Sequence, residues 1–403
     1  MQPNRTKNVL LVTHRLPYPP DKGDRIRTYH LLRFLSQRAS VWLAALADEK
    51  VTDEARDTLS GMCKQVIAVP HQHWKLPQGA WNALKGKSIS EGYFFSKELQ
   101  NAIKQLAQAV PFDMAIASAS SIADYLNIPE LSNALRVIDV MDVDSQKWED
   151  YAAASSQPKK MVFQLEAKRT LKAEKKLASW ADVVTLVSEG EAKLFRDRTT
   201  AKNVHCIANG VDLNYFHPTT EPTDHSCVFV GVMDYRPNVD AVCWFAKAAW
   251  PEIRHRVPKA TFRIVGRNPA PAVVELQNIP GVEVTGSVPD VRPYLAKAVL
   301  AVAPLQIARG IQNKVLEAMA AGKPVIASPQ ALGGLSHHAQ LPILRAENRD
   351  QWLQMVTELL NNPQKSAELG QQGREFVEIY HNWDLCLGPF EQMLLTPKSS
   401  AGQ

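Results

Sequence analysis

In residues 308–328, ARGIQNKVLEAMAAGKPVIAS, the first ten positions hold two cations, a glycine and an acid at a spacing that suits a nucleotide. Arg309 and Lys314 supply positive charge, and Gly310 leaves backbone N–H groups free at a helix start, where anions are favoured. Glu317 lies one turn into the helix, where it would accept hydrogen bonds from a ribose. A nucleotide-phosphate site is therefore predicted, although a surface lysine and a glutamate near a helix start also occur for structural reasons alone.

Two further loops carry glycine and basic residues. The stretch THRLPYPPDKGDRIRTYHLL places Gly23, Arg25 and Arg27 at the opening of a helix. In VGVMDYRPNVDAVCWF a strand ends at Gly231, and Arg236 follows as a candidate phosphate ligand, with Asn238 as a helix cap. The Gly23 loop does not have the G-x-G-x-x-G spacing, so the dinucleotide fingerprint of dehydrogenases is missing from it.

A third chemical group is acidic. In VIDVMDVDSQKW, three carboxylates follow a strand, namely Asp139, Asp142 and Asp144. They would line a substrate cleft, binding hydroxyl groups of an acceptor. Two other interpretations stay open, because a D-x-D pair is also a pattern that binds hard cations and Asp144 would also cap a helix.

These loops are positioned by two series of alternating strands and helices, which predict parallel sheets with crossover helices. The polar, proline-containing segment FHPTTEPTDHS (216–226) separates the series and reads as a linker. The first series predicts strands Asn8–Thr13, Val41–Ala47, Gln65–Val69, Met114–Ser118, Arg136–Val140, Val183–Val187 and Val204–Ile207. The second predicts Cys227–Gly231, Thr261–Gly266, Val282–Thr285, Val299–Ala303, Pro324–Ser328 and Pro342–Arg345.

The helical segments follow the same alternation. The first half is expected to hold helices at Ile26–Gln37, Lys97–Ala109 and Lys159–Trp180. In the last of these, Glu166, Glu174 and several lysines suggest a solvated, charge-rich helix. The second half is expected to hold Val239–Arg256, Val291–Lys297, Gln312–Ala321, Arg349–Asn361 and Gln364–Tyr380.

Composition bounds the class of protein. With 403 residues, 45% hydrophobic and 22% charged, the chain is long enough for two α/β domains. The net charge of +5 is spread evenly and does not indicate nucleic acid. Five scattered cysteines favour neither a disulfide framework nor a zinc site. The N-terminal apolar run is too short for a signal peptide, and Ala298–Leu305 is too short to span a bilayer, so a cytoplasmic location is expected.

The chain resembles glycosyltransferase family 4 over nearly its whole length. The resemblance rests on LEAMAAGKPVIAS, ANGVDLNYFHP, ADVVTLVSEGEAKLF and the Gly23 loop. RLPYPPDKGDRIRTYHLLRFL, DVDSQKW and GVMDYRPNVDAVCWF look more narrowly like sugar transferases of exosortase-linked exopolysaccharide clusters. The fold that it implies is GT-B, two Rossmann-like doubly wound domains facing across a cleft. We expect an acceptor-side domain at 1–215, the linker, a donor domain at 227–380, and a segment at 381–403 that packs back toward the first domain and ends in a frayed tail.

The resemblance also implies site residues. Glu317 matches the family's ribose-binding glutamate, the loop at Gly310 offers N–H groups to the donor, and Lys314 neutralises the diphosphate. The family's first glutamate, eight positions earlier, is replaced by Arg309, which leaves the contact to the sugar undefined. The implied reaction centre is approached by Gly23, Arg309 and Gly310. The implied donor-binding residues are Gly231, Arg236, Gly286, Val288, Gly310, Ile311, Gln312, Lys314 and Glu317.

The implied reaction is retaining, metal-independent transfer from a UDP- or GDP-linked sugar to a hydroxyl of a glycan or polyprenyl-linked acceptor. No cofactor is expected besides the donor. Arg25, Arg27, Arg33 and Arg38 would lean on the anionic inner face of the membrane. A nucleotide-sugar epimerase of the same fold and a non-catalytic glycosyltransferase-like assembly partner remain as alternatives. Donor base, sugar, acceptor and oligomeric state are not readable from the residues.

Overall fold

The chain folds into two units, each built on one parallel sheet. The computed structural model describes residues 6–71, 87–335 and 340–396. Residues 208–386 form the second unit, and the chain on either side of them forms the first. The expected linker 216–226 therefore lies within the second unit, and the chain crosses between units at Ile207–Ala208 and at Cys386–Leu387.

The first unit contains seven parallel strands in the order β3-β2-β1-β4-β5-β6-β7. The order reverses between β1 and β4, so a ligand site is expected beyond the carboxyl ends of these two strands. The strands are β1 Asn8–Thr13, β2 Ser40–Ala47, β3 Gln65–Pro70, β4 Met114–Ser118, β5 Leu135–Met141, β6 Val183–Leu186 and β7 Val204–Cys206. The helices are Gly23–Ser36, Asp53–Met62, Ile89–Tyr93, Lys97–Ala109, Asp144–Ala153, Lys159–Ala178 and Glu189–Arg198, with 3-10 turns at Ser120–Leu126 and Pro129–Leu131.

The second unit contains six parallel strands in the order β10-β9-β8-β11-β12-β13. Here the order reverses between β8 and β11, where Cys227 pairs with Leu300. The strands are β8 Ser226–Val230, β9 Thr261–Val265, β10 Val282–Gly286, β11 Leu300–Ala303, β12 Val325–Ala327 and β13 Leu344–Arg345. The helices are Arg236–Trp244, Trp250–Arg256, Pro271–Val274, Arg292–Lys297, Asn313–Ala320, Arg349–Asn361 and Pro363–Tyr380, with a π-helix at Phe245–Ala249 and a 3-10 turn at Glu275–Asn278.

Both sheets bury apolar side chains on their two faces, as is typical of parallel sheets that are covered by helices on both sides. In β1 the residues from Val9 to Val12 are fully buried, and in β11 all four residues are buried. A large cluster of buried apolar side chains lies in each unit. Each predicted strand is present, with bounds that differ by no more than two residues.

The helix Lys159–Ala178 differs from its predicted role. Its two glutamates are buried rather than solvated. Glu166 accepts hydrogen bonds from the backbone N–H groups of Ile89 and Ser90 at 2.9 and 3.2 Å, so it caps the short helix Ile89–Tyr93. Glu174 accepts from the backbone N–H of Ser145 at 2.9 Å and from its hydroxyl at 2.5 Å. Burial raises the pKa of Glu174 to about 7.

Arg25 and Arg27 are buried as well, which corrects their expected contact with a membrane surface. The Arg27 guanidinium donates two hydrogen bonds to Asp139, at 2.7 and 2.8 Å. Arg25 pairs with Asp48 at 2.8 Å. Both arginines thus bind the helix Gly23–Ser36 to its own unit, because buried charges are stable only when they are paired.

The helix Trp383–Leu395 begins in the second unit and ends in the first. Its last turns bury Leu387, Phe390 and Leu394. Glu391 accepts a bond from Arg38 at 3.1 Å. The tail predicted to fray, beyond residue 397, lies outside the described residues.

Candidate functional site

In the second unit, the loops that follow β8 and β11 lie at the point where strand order reverses. The β8 loop, Gly231–Tyr235, leads into the helix Arg236–Trp244. The β11 loop, 304–312, leads into the helix Asn313–Ala320. In sheets of this kind, ligands bind outside the carboxyl ends of the strands at this point. Of the predicted donor residues, Gly231 and Gly310 lie in these two loops, and Lys314 is the second residue of the helix that follows β11.

Lys314 is held across the strand reversal by Asn238. The Nζ of Lys314 lies 3.0 Å from Oδ1 of Asn238, whose Nδ2 donates to the carbonyl of Val232 at 2.9 Å. Asn238 is buried and is the third residue of the helix Arg236–Trp244. The residue at the N-cap position is Tyr235, so the predicted capping role of Asn238 was wrong. A side chain at position 231 would place its Cβ 2.8 Å from Nδ2 of Asn238, so Gly231 leaves the room that this amide occupies.

Lys314 and Glu317 form a coupled pair on the first turn of the helix. Burial lowers the pKa of Lys314 to about 8, although the Glu317 carboxylate opposes this shift. Burial likewise raises the pKa of Glu317 to about 7, opposed by the Lys314 ammonium. Both groups are half-buried, and an anion and a hydroxyl donor would restore their ordinary charge states.

The loop before this helix packs against a second glycine. Gly310 is buried and adopts a positive φ of 58°, a conformation that L-residues rarely adopt. An added Cβ at Gly334 would lie 2.4 Å from the Gly310 carbonyl oxygen and 2.8 Å from the Ile311 nitrogen. The two backbones are therefore in direct contact, which Gly334 permits. Sequence patterns did not single out Gly334, because nothing local links it to position 310.

The remaining donor-side predictions fall at different places in the second unit. Arg309 is half-buried, and its carbonyl accepts a bond from Nε2 of Gln312 at 2.9 Å. Ile311 is buried in the core. Arg236 is exposed at the first position of its helix, and its Nε lies 3.5 Å from Oδ2 of Asp240. Gly286, with φ of 68°, ends β10, and Val288 packs on the core two residues later.

The helix start is also fixed from the Asn-Gly turn at residues 209–210. The Nδ2 of Asn209 donates to Oδ1 of Asn313 at 3.0 Å, and Nδ1 of His381 lies 2.8 Å from the Asn209 carbonyl oxygen. Gly210 packs against Trp383, since a Cβ there would lie 2.7 Å from its backbone. The contacts of this turn therefore position Asn313, the first residue of the helix that follows β11.

In the first unit, the loop after β1 is organised by His14. Its Nδ1 lies 2.9 Å from the carbonyl oxygen of Ser118, at the end of β4, and its Nε2 lies 2.9 Å from Asp24. Burial alone would raise the pKa of Asp24, but His14 and Arg15 outweigh burial and hold it well below its usual range. Gly23 is exposed at the first position of the helix. This network bridges the ends of β1 and β4, and sequence patterns gave no sign of it.

The three acidic residues of the β5 loop separate into different environments. Asp139 is fully buried against Arg27 and accepts a bond from Thr185 at 2.6 Å, so the expected contact with an acceptor is wrong for this residue. Asp142 follows Met141, which has a φ of 69°. Burial, and then the nearby Glu191 carboxylate, raise the pKa of Asp142 to about 7. The Asp142 Oδ1 atom is buried and has no partner among the residues that the structure describes.

Asp144 begins a helix and accepts a hydrogen bond from the Ser120 hydroxyl at 2.7 Å. A cavity of about 200 Å³ lies beside Ser120, between the 3-10 turn Ser120–Leu126 and the helix Lys159–Ala178. Its polar lining includes Lys87, Gln100 and Asn127. Within the described ranges, no group of three His, Cys, Asp or Glu side chains is placed to hold a metal ion.

The features of the second unit coincide with a known domain. Residues 224–362 match the family model of glycosyl transferases group 1. The matched stretch contains Gly231, Asn238, Lys314 and Glu317, so the strand reversal and both of its loops lie within the residues that resemble this family. A search of curated protein sequences finds no match.

Solved structures resemble the whole chain. Sucrose-phosphate synthase from Thermosynechococcus elongatus is 19% identical, with a TM-score of 0.68 over 96% of this chain and 98% of its own. HepE from Anabaena, in complex with UDP and glucose, is 16% identical, with a TM-score of 0.66 over 96% and 99%. TarM is 13% identical, with a TM-score of 0.69 over 98% and 100%. These similarities establish the GT-B fold, which consists of two Rossmann-like domains, each built on a parallel sheet.

No helix in the described ranges combines the length and the apolar character that crossing a membrane requires.

Proposed function

We propose that this protein is a retaining, metal-independent glycosyltransferase that moves a sugar from a UDP- or GDP-linked donor to a hydroxyl of a glycan or polyprenyl-linked acceptor. The observation that carries the proposal is the Lys314–Glu317 pair. A cation and a carboxylate lie one turn apart at a helix start beyond the strand reversal, beside the Gly310 loop. The donor nucleotide bound by HepE supports the same class of donor here.

Each group has a defined part in the proposed reaction. Glu317 accepts hydrogen bonds from the ribose, and Lys314 lies against the diphosphate. As the bond to the sugar breaks, negative charge grows on the diphosphate, and fixed cations and N–H groups stabilise this charge most. Arg309 would add positive charge next to Gly310. Gly23 would approach the reaction centre, and Asp142 and Asp144 would bind the acceptor.

The cellular role that we propose is exopolysaccharide biosynthesis on the cytoplasmic face of the inner membrane, with peripheral contact to that membrane. The support is the resemblance of the Gly23 loop and the β8 loop to sugar transferases of exopolysaccharide clusters. Because Arg25 and Arg27 are buried, a different surface must make the membrane contact.

Calorimetry with UDP-, GDP- and ADP-linked sugars tests the proposal. We expect one nucleotide class to bind, and Glu317→Ala to weaken that binding by roughly 10- to 100-fold, as for a lost charge-assisted hydrogen bond. The exposed Glu275→Ala is the matched control and should bind as the wild type does. Absence of binding, or binding that Glu317→Ala leaves unchanged, would contradict the proposal.

Product analysis separates the alternatives. Transfer should require an acceptor, retain the anomeric configuration by NMR, and continue in EDTA. Conversion of the donor sugar without an acceptor would instead identify an epimerase. Donor binding without transfer to any glycan or polyprenyl-linked acceptor would point to a non-catalytic assembly partner.

A further inference from the structure

The exposed face of the helix Lys159–Ala178 is unusual in its combination of side chains. Met161, Val162 and Leu165 are exposed to 63, 53 and 49% of their surface. Residues 161, 165, 168 and 172 recur at helical spacing and so share one face. Three aliphatic side chains therefore lie in solvent next to Lys168 and Lys172. This set, Met161, Val162, Leu165, Lys168 and Lys172, is called the α-face below.

The charged side chains that this helix exposes to solvent are all basic. Its two acidic residues, Glu166 and Glu174, are 2% and 0% exposed, and each is bonded to backbone or hydroxyl donors of its own unit. The helix carries seven basic residues, at Lys159, Lys160, Lys168, Arg169, Lys172, Lys175 and Lys176. Lysines therefore precede and follow the apolar residues of the α-face along the helix, and no carboxylate of the helix itself opposes them at the surface. Lys176, which is not part of the α-face, is paired with Asp124 at 2.7 Å.

The helix that carries the α-face packs against the preceding helix, Asp144–Ala153, through aromatic side chains. Phe163 packs against Trp148 and Tyr151, with ring centroids 5.7 and 6.0 Å apart. Nearby acids of the preceding helix are occupied, since Glu149 pairs with Arg198 and Asp150 accepts a bond from Gln146. The side of the helix that faces away from residues 161, 165, 168 and 172 is thus packed against the preceding helix, and the Glu149 carboxylate of that helix is already paired with Arg198.

We infer that the α-face is the surface by which this protein binds an anionic lipid bilayer. Aliphatic side chains beside lysines suit a membrane interface, where the side chains enter the headgroup region and the ammonium groups attract acidic lipids. Six of the seven basic residues are lysine, which attracts a diffuse layer of charge, whereas arginine forks favour specific phosphate contacts. The face offers three aliphatic side chains and no exposed aromatic ring for stacking on bases, which favours lipid over nucleic acid.

This inference rests on the proposed membrane contact and specifies where that contact is made. It is tested by sedimentation of the full chain with vesicles of phosphatidylcholine alone or with about one third phosphatidylglycerol, without donor or acceptor. Binding should occur to the anionic vesicles and weaken as salt rises, because the Debye length falls from about 10 Å at 0.1 M to about 3 Å at 1 M.

Two pairs of substitutions distinguish the contribution of the lysine charges from that of the aliphatic side chains that would enter the bilayer. The change Lys168→Glu with Lys172→Glu should weaken binding to anionic vesicles by about tenfold or more, since each basic residue near such a surface contributes measurably. The change Met161→Ser with Leu165→Ser should weaken it even at low salt. These positions are exposed, so circular dichroism should show an unchanged fold.

The matched controls lie in the second unit. Lys247→Glu with Lys259→Glu removes two equally exposed lysines, and Val274→Ser removes an exposed aliphatic side chain. Both should bind vesicles as the wild type does. Failure of the wild type to bind anionic vesicles, or equal losses in the controls, would overturn the inference, as would binding of RNA or an acidic protein in place of vesicles. Donor calorimetry is independent of this assay, so failure of the transferase proposal would be recognised separately.

Discussion

Lys314 and Asn238 lie on opposite sides of the strand reversal in the second unit, and their side chains meet at 3.0 Å. The Asn238 amide is oriented by its bond to the Val232 carbonyl, so its oxygen faces the lysine. The cation that would bind a diphosphate is thus positioned by the loop after β8, although it belongs to the helix after β11. Donor binding should depend on both loops.

Replacing Asn238 by Ala should weaken UDP binding by about tenfold, because a hydrogen bond to a charged group contributes roughly 1.5–3 kcal/mol and Lys314 would lose its fixed position. Calorimetry with UDP measures the effect. Asn278→Ala, an exposed asparagine of the same unit, is the control. Equal affinities for both variants would show that Asn238 does not position the lysine.

The affinity for UDP should be highest between about pH 7 and about pH 8. Below the raised pKa of Glu317, near 7, the carboxylate becomes protonated and is a poorer acceptor for the ribose. Above the lowered pKa of Lys314, near 8, the ammonium loses its charge. Calorimetry across this range measures the profile.

Two variants show which residue causes the loss of affinity on the acidic side of the pH profile and which causes the loss on its alkaline side. Glu317→Gln should remove the part of the acidic limb that exceeds the titration of the phosphate itself, and Lys314→Met should remove the alkaline limb. An acidic limb of the same size in Glu317→Gln would rule out this carboxylate as its source.

Gly334→Ala should lower the free energy of unfolding by about 1–3 kcal/mol, or displace the Gly310 loop at a similar cost, because the added methyl meets backbone atoms. Its Cβ would lie 2.4 Å from the Gly310 oxygen, whereas at the neighbouring Gly333 the nearest atom is at 3.5 Å. Urea unfolding and UDP calorimetry of both variants check this. Gly333→Ala should resemble the wild type, and a Gly334→Ala protein unchanged in both measurements would contradict the close approach.

Removing one partner of the Arg27–Asp139 pair should cost about 3–5 kcal/mol of unfolding free energy, since the other charge is left buried and unpaired. The test is urea unfolding of Arg27→Met. Arg33→Met, on the same helix but exposed, should change stability little. The double change Arg27→Met with Asp139→Leu should recover much of the loss, which a role of Asp139 in binding acceptor would not explain.

Elements were well predicted where local pattern determines them. The strands Asn8–Thr13 and Met114–Ser118 and the helix Lys97–Ala109 have the predicted bounds, because apolar runs and helical spacing are local signals. The predicted helix Val239–Arg256 is interrupted by the π-helix Phe245–Ala249. A single π-helical turn adds about one residue to the helix, and this small shift hardly changes the spacing of apolar residues from which the helix was predicted.

Partners distant in sequence were not predictable. Arg27 and Asp139 are 112 positions apart, and Lys314 and Asn238 are 76 apart, so no local spacing reveals either contact. The same limit explains the glutamates of helix Lys159–Ala178. Glu166 and Glu174 are typical of a solvated face, yet the backbone N–H groups that donate to them lie in the segments that pack over them.

The course of the chain through the two units has a consequence for biosynthesis. Residues Leu387, Phe390 and Leu394 complete the first unit, but the ribosome makes them after the whole of the second. During translation the first unit therefore waits, with the apolar surface that these residues cover still open, while 179 residues of the second unit emerge. A stalled or shortened chain would leave that surface exposed to chaperones and proteases even when the donor domain has already folded.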